Sequence, residues 1–82
     1  MGKEQSYQKA AKEILRLIGG KENVISAAHC ATRLRLVLKD EKLADVEGIL
    51  NTELVKGQFA TGGQFQIIIG SGTVDEVYTY FI

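Results

Sequence analysis

Residues 29–40 read HCATRLRLVLKD, and the alternation in the second half of this stretch decides the fold. Leu34, Leu36 and Leu38 take every second position, with Arg33, Arg35, Val37 and Lys39 between them. Strand side chains alternate between the two faces of a sheet, so the leucines face a core and the arginines share the opposite face. The pattern predicts a strand with one dry face and one wet face.

Working outward, NVISAA from Asn23 predicts a preceding strand, which places Cys30 in the connection of a strand pair. Before it, from Ser6, Tyr7, Ala10, Ala11, Ile14, Leu17 and Ile18 keep the three-and-four spacing of one helix face, and Gly19 and Gly20 supply the stop. After it, residues 40–50 return to helical spacing through Leu43, Val46, Ile49 and Leu50, with Asn51 as terminator. LVKGQFA (54–60) and QFQIIIG (64–70) are two further strands, joined at Thr61, Gly62 and Gly63, where glycines permit the positive φ of a tight turn. Thr73 and Glu76 have the spacing of a capping box, and Val74, Val77, Tyr78, Phe81 and Ile82 form the stripe of a last helix. The order αββαββα predicts an α+β fold: a four-stranded antiparallel sheet with three helices packed on one face. A chain of 82 residues supports one domain, residues 1–82, with one modest core.

Ten lysines and arginines balance ten aspartates and glutamates, so no global field recruits nucleic acid, and no nucleic-acid partner is expected. A single cysteine forms no internal disulfide, and the sequence carries neither a signal segment nor an apolar run long enough to cross a bilayer. The setting expected is reducing and cytoplasmic. One histidine beside one cysteine leaves too few soft ligands for zinc, so no metal is expected either.

The chemistry is concentrated at Cys30. Arg33 and Arg35 lie near the end of the strand pair that carries the thiol, and a guanidinium close to sulfur favours the thiolate. Arg33 in particular is expected to lower the thiol's pKa, with free N–H groups of residues 31–33 adding to the effect. A buried cysteine acting as a small hydrophobe is the plain alternative. A core cysteine has no need of Thr32 and Arg33 directly after it, however, whereas a phosphoryl group uses a hydroxyl, a planar donor fork and backbone N–H groups together. A phosphatase loop of the tyrosine-specific kind needs an arginine six positions beyond its cysteine, where Leu36 stands. Dithiol redox chemistry is excluded by the single cysteine, which leaves phosphoryl relay.

These residues resemble a known family. Asn23 and Val24, five residues, then CATRLRLVLKD are similar to the active-site signature of the B domains (EIIB) of sugar permeases. The branch is the glucose and sucrose one of the bacterial phosphoenolpyruvate-dependent phosphotransferase system (PTS). GGQFQIIIG and the closing helix resemble the sucrose, trehalose and β-glucoside members. The resemblance implies the same four-stranded sheet with helices on one face, and a protein-phosphocysteine–sugar phosphotransferase activity. In it Cys30 accepts a phosphoryl group from a phosphohistidine of a IIA domain and donates it to a sugar held in a membrane-embedded IIC domain. No cofactor beyond that phosphoryl group is implied.

The resemblance further implies that Thr32 and Arg33 cradle the phosphate, that Arg35 assists transfer, and that Gln66 matches a family glutamine on the neighbouring hairpin. Phe65, Ile67 and Ile69 independently turn Gln66 toward the arginine face by alternation. His29 and Ala31 are accessory candidates, His29 as a proton partner for the thiol or as the holder of a structural hydrogen bond. Such B domains are usually fused to a membrane domain, so the chain is expected to be an excised amino-terminal piece of a longer permease at the cytoplasmic side of the membrane. A regulatory module that reports sugar flux through the same phosphocysteine fold, and a binding domain with an inert cysteine, are the competing readings.

Overall fold

Leu34, Leu36 and Leu38 enter the core as their alternation requires, at 0%, 0% and 7% exposure. They lie on β2 (Arg33–Leu38), the second strand of a sheet that also contains β1 (Val24–His29), β3 (Gly57–Thr61) and β4 (Gln64–Ile68). The strand order is β1-β2-β4-β3 and every pairing is antiparallel. This computed structural model describes the backbone of residues 2–81 and the side chains of residues 5–81. Ile82, assigned to the last helical stripe above, lies outside the described residues.

Three helices complete the fold: α1 (Gly2–Leu17), α2 (Val46–Leu50) and α3 (Thr73–Phe81). Ala11, Ile14, Leu17 and Ile18 at α1, Ile49 of α2, and Val74, Val77 and Phe81 of α3 meet the leucines of β2 and Phe65, Ile67 and Ile69 in a single buried cluster. Each of the valine, leucine, isoleucine and phenylalanine side chains among them stabilises the fold by about 1.5–3 kcal/mol relative to exposure. The opposite face of the sheet carries Arg33, Arg35, Gln66 and the half-exposed ring of Phe59, with no helix over it. The predicted α+β architecture is the one observed, including the hairpin at Gly62 and Gly63, whose φ angles of 56° and 81° are the two positive values a two-residue turn between paired strands needs.

Four local expectations are corrected. The stretch 40–50 is not one helix. It is a 3-10 turn (Glu41–Leu43) followed by α2, because both Asp40 and Asp45 act as N-caps, accepting hydrogen bonds from the N–H groups of Lys42 and Gly48. Leu43, Val46 and Leu50 are consequently exposed, and only Ile49 joins the core. Asp45 folds back so closely that a Cβ on Gly48 would stand 2.7 Å from its carboxylate and 2.8 Å from Leu17.

The third strand starts at Gly57, not at residue 54, since Leu54 takes a left-handed φ of 79° and turns inward to pack on the core. Thr73 lies inside the first turn of α3 and so is not the cap of a capping box. Finally, α1 reaches back to Gly2, a turn beyond the start read at Ser6, through residues that carry no apolar signal.

One buried polar side chain fastens these elements together. Asn23 is 4% exposed and sits between the end of α1, the start of β1 and the exit of β2. Its Nδ2 donates to the carbonyls of Ile18 (2.7 Å) and Asp40 (2.9 Å), and its Oδ1 accepts the Asp40 N–H (2.9 Å). Its own carbonyl accepts the N–H of Lys39 at 2.8 Å. Removing the amide leaves a buried donor and two carbonyls without their partner. Asn23→Ala should therefore lower stability by about 2–4 kcal/mol in urea unfolding. An unchanged unfolding midpoint would show that water replaces the amide at no cost.

Candidate active site

The loop between β1 and β2 starts from an incomplete hairpin. His29 pairs with Leu34, and the Cys30 N–H donates to the Arg33 carbonyl at 2.9 Å. In a closed two-residue hairpin the Arg33 N–H would return a bond to the Cys30 carbonyl. Here the N–H groups of Thr32 and Arg33 instead serve the sulfur. The thiol's pKa is lowered to about 7. The Thr32 N–H contributes most, then the Arg35 guanidinium, then the Arg33 N–H, against a smaller opposing effect of desolvation. Cys30 is half-buried, so the sulfur remains within reach of a reagent or partner.

Thr32 holds the loop in two directions. While its N–H serves the sulfur, its carbonyl accepts both the Ile69 N–H (2.9 Å) and the Gly70 N–H (3.0 Å). The loop is thereby bound to the segment between β4 and α3. Ala31 stands exposed at its tip.

The two arginines divide their tasks. Arg35 turns toward the thiol, and its Nε is buried without a protein partner among the described residues. Arg33 turns away along the sheet. Its Nη1 donates to Gln66 Oε1 at 2.7 Å, and its guanidinium lies 5.5 Å from the centre of the Phe59 ring. The sequence reading gave the lowering of the thiol's pKa to the Arg33 side chain, but the geometry gives it to the Arg35 side chain and the loop N–H groups. Period-two alternation places both arginines on one face without saying which reaches the end of the hairpin.

Gln66 is 6% exposed, and its amide is oriented at both ends: Oε1 accepts from Arg33, and Nε2 donates to Gln64 Oε1 at 3.1 Å. Ala28, Arg35, Gln66 and Phe59 are direct cross-strand neighbours across all four strands. The structure thus brings Cys30, Thr32 and Arg35 into one group and sets Arg33 and Gln66 beside it on the same face. His29 lies at the loop's entry, with Nδ1 3.2 Å from the Cys30 carbonyl oxygen and 3.2 Å from Asp75 Oδ1. Sequence reasoning missed Phe59, Asp75 and Tyr78. The alternation of β3 would have found Phe59 from the correct strand start, whereas the two α3 residues meet the site only through tertiary packing. Among the described residues, no three His, Cys, Asp or Glu side chains converge to hold a metal ion.

Fold and site together define an open-faced sandwich that carries an activated thiol at one end of its bare sheet face. The family model for phosphotransferase system EIIB matches residues 12–45. The sucrose-specific EIIBC component of Staphylococcus xylosus is 55% identical over 74 residues, which are 90% of this chain and 15% of that protein. The trehalose-specific EIIBC component of Bacillus subtilis is 47% identical over 74 residues, 90% of this chain and 16% of that one. The crystal structure of one domain of the PTS system IIabc component from Clostridium difficile superposes with a TM-score of 0.90 at 43% identity, covering 94% of this chain and 80% of that one. The chain belongs to the EIIB family of the phosphotransferase system. It spans about 15% of the length of the curated relatives it matches.

Because the thiolate is the reactive form, alkylation of Cys30 should rise with pH through a midpoint near 7, set by the lowered pKa. Arg35→Ala removes a group that favours the thiolate, so it should move that midpoint upward by roughly half a pH unit or more. Arg33→Ala keeps its backbone N–H and should move it less. Equal shifts for the two variants, measured by iodoacetamide kinetics, would contradict the division of tasks.

Proposed function

We propose that this domain is the phosphocysteine relay of a PTS sugar permease. The observation that carries the reading is the half-buried thiol of Cys30, faced by the Thr32 and Arg33 N–H groups and the Arg35 guanidinium at the edge of a bare sheet face. In the first step the phosphorus–nitrogen bond of a phosphohistidine on a IIA domain breaks as the bond from Cys30 Sγ to phosphorus forms, and the leaving imidazole keeps the electron pair. In the second, a sugar hydroxyl held by a IIC membrane domain attacks the same phosphorus. The sulfur–phosphorus bond breaks, the thiolate leaves, and the hydroxyl proton goes to a base of the IIC domain.

Phosphoryl transfer passes through a loose transition state, so the protein's part is positioning and charge stabilisation on the equatorial oxygens. Donors already aimed at the sulfur serve both: the Thr32 and Arg33 N–H groups and the Arg35 guanidinium with its unpartnered Nε; the Arg33 side chain would join them after a swing from Gln66. These groups provide that stabilisation without a metal or other cofactor.

The relatives named above are permease components that join EIIB to a C part, which favours the permease over the regulatory module. No helix among the described residues is long and apolar enough to cross a membrane, so in this reading the domain works at the cytoplasmic side beside its membrane partner. Those relatives are sucrose- and trehalose-specific, which favours a disaccharide as the final acceptor. The pocket that selects the sugar belongs to the IIC domain.

Incubation with phosphoenolpyruvate, the general phosphotransferase proteins and a IIA domain should raise the intact mass by one phosphoryl group, and Cys30→Ser should abolish the increase while keeping the fold. A serine variant that still gains the group would move the acceptor to another residue. Both partners must approach the sulfur in line, so their footprints should overlap on the Arg33, Arg35 and Phe59 face. Amide shift changes on titration with the IIA domain should centre on residues 30–35 and on Phe59, and should weaken with salt. Changes centred on α1 and α3 would overturn this docking surface.

A further inference from the structure

His29 is the last residue of β1 and is not needed by the transfer steps as written. Its Nδ1 faces two oxygens, the Cys30 carbonyl and Asp75 Oδ1, each at 3.2 Å. A carbonyl and a carboxylate only accept, so Nδ1 must carry the proton and share it between them. The ring is fixed from the side by Tyr78, with centroids 4.6 Å apart and planes tilted by 54°, and the Tyr78 hydroxyl donates to the Ala27 carbonyl at 3.2 Å. Asp75 and Tyr78 both belong to α3. β1 is therefore fastened to α3 where the chain enters the loop. The loop's exit is fastened through the Thr32 carbonyl to Ile69 and Gly70.

This arrangement accounts for the incomplete hairpin. The Cys30 N–H donates to Arg33, but the Cys30 carbonyl is directed at His29 Nδ1, and no bond from the Arg33 N–H returns to it. We propose that His29 is a positioning residue: by drawing the Cys30 carbonyl toward its Nδ1 it keeps the loop from closing as an ordinary two-residue hairpin and keeps the Arg33 N–H on the sulfur. Asp75 and Tyr78 hold the imidazole in the tautomer and orientation this requires. The inference rests on the relay reading for its purpose, since a second loop N–H on the sulfur is also a donor for a phosphoryl oxygen. Its geometry concerns the unmodified chain and is tested there.

Without His29 the Arg33 N–H should return to the Cys30 carbonyl and the sulfur should lose one donor. His29→Ala is then expected to move the midpoint of Cys30 alkylation upward and to slow the reaction at pH 7 by roughly two- to fivefold. His29→Asn offers an amide N–H close to the place of Nδ1 and should restore much of the loss. In the unaltered protein, nitrogen-15 spectra of the imidazole should show a protonated Nδ1 in the neutral ring, the less common tautomer of free histidine.

A parent-like alkylation profile in a folded His29→Ala variant would overturn the inference, and so would a neutral ring protonated at Nε2. Neither result touches the acceptor role of Cys30, which is judged by the mass increase of the unaltered chain. Failure of that increase, with the profile shifted in His29→Ala, would leave the positioning role standing and remove the relay.

Discussion

The site depends on one residue being held from two sides. Thr32 presents its N–H to the sulfur of Cys30 while its carbonyl is taken by the N–H groups of Ile69 and Gly70. A short loop that had to organise two or three N–H groups around an anion would ordinarily lose conformational freedom as the anion arrived, at about 1–2 kcal/mol per residue fixed. Here the ordering is done during folding by the segment between β4 and α3. That segment is in turn set by Phe65, Ile67 and Ile69 on one side and by Val74 and Val77 on the other, all buried in the core. The hydrophobic core thus fixes the geometry of a donor cluster on the sheet's far edge.

In the proposed relay the location of the site follows from the work it would do. A surface cavity of about 540 Å³ lies between α1 and α2 and is lined by Lys9, Glu13, Arg16 and Asp45 among others, none of them site residues. A relay thiol has to be approached in line by one partner and then by another, which an enclosed pocket would hinder. An open edge of a helix-free face meets that need. Specific charge then does what overall charge does not: the chain is neutral in sum, yet Arg33 and Arg35 share one bare surface, with the exposed ring of Phe59 against the Arg33 guanidinium.

The fold was legible in the sequence because its deciding signals are periodic. Leu34, Leu36 and Leu38 declared the dry face of β2, the pairs Gly19-Gly20 and Gly62-Gly63 marked a helix end and a turn, and the resemblance of CATRLRLVLKD supplied the family. What periodicity misread was capping and handedness. Two aspartates, Asp40 and Asp45, each able to start a helix, divided one helical stripe into two short pieces, and a left-handed Leu54 delayed a strand. At the site, Cys30, Thr32, Arg35, Gln66 and His29 were all visible as candidates. The distinct directions of Arg33 and Arg35 and the participation of Asp75 and Tyr78 were not, because Arg33 is turned by Gln66 and Phe59 on other strands and the α3 residues meet the loop only through tertiary packing. Asn23 was visible only as part of a family motif, and its physical role, three hydrogen bonds in a buried junction, belongs to the fold rather than to the chemistry.

The central claim is that the sulfur of Cys30, and not the adjacent imidazole, carries the transferred group. Phosphorus-31 NMR of the chain after incubation with a phosphorylated IIA domain tests it most directly, because sulfur-bound and nitrogen-bound phosphoryl groups resonate on opposite sides of inorganic phosphate. The account predicts a single protein-bound signal downfield, in the thiophosphate region, that disappears on treatment with iodine. An upfield phosphohistidine signal assigned to His29, with Cys30 still free to alkylate, would contradict it.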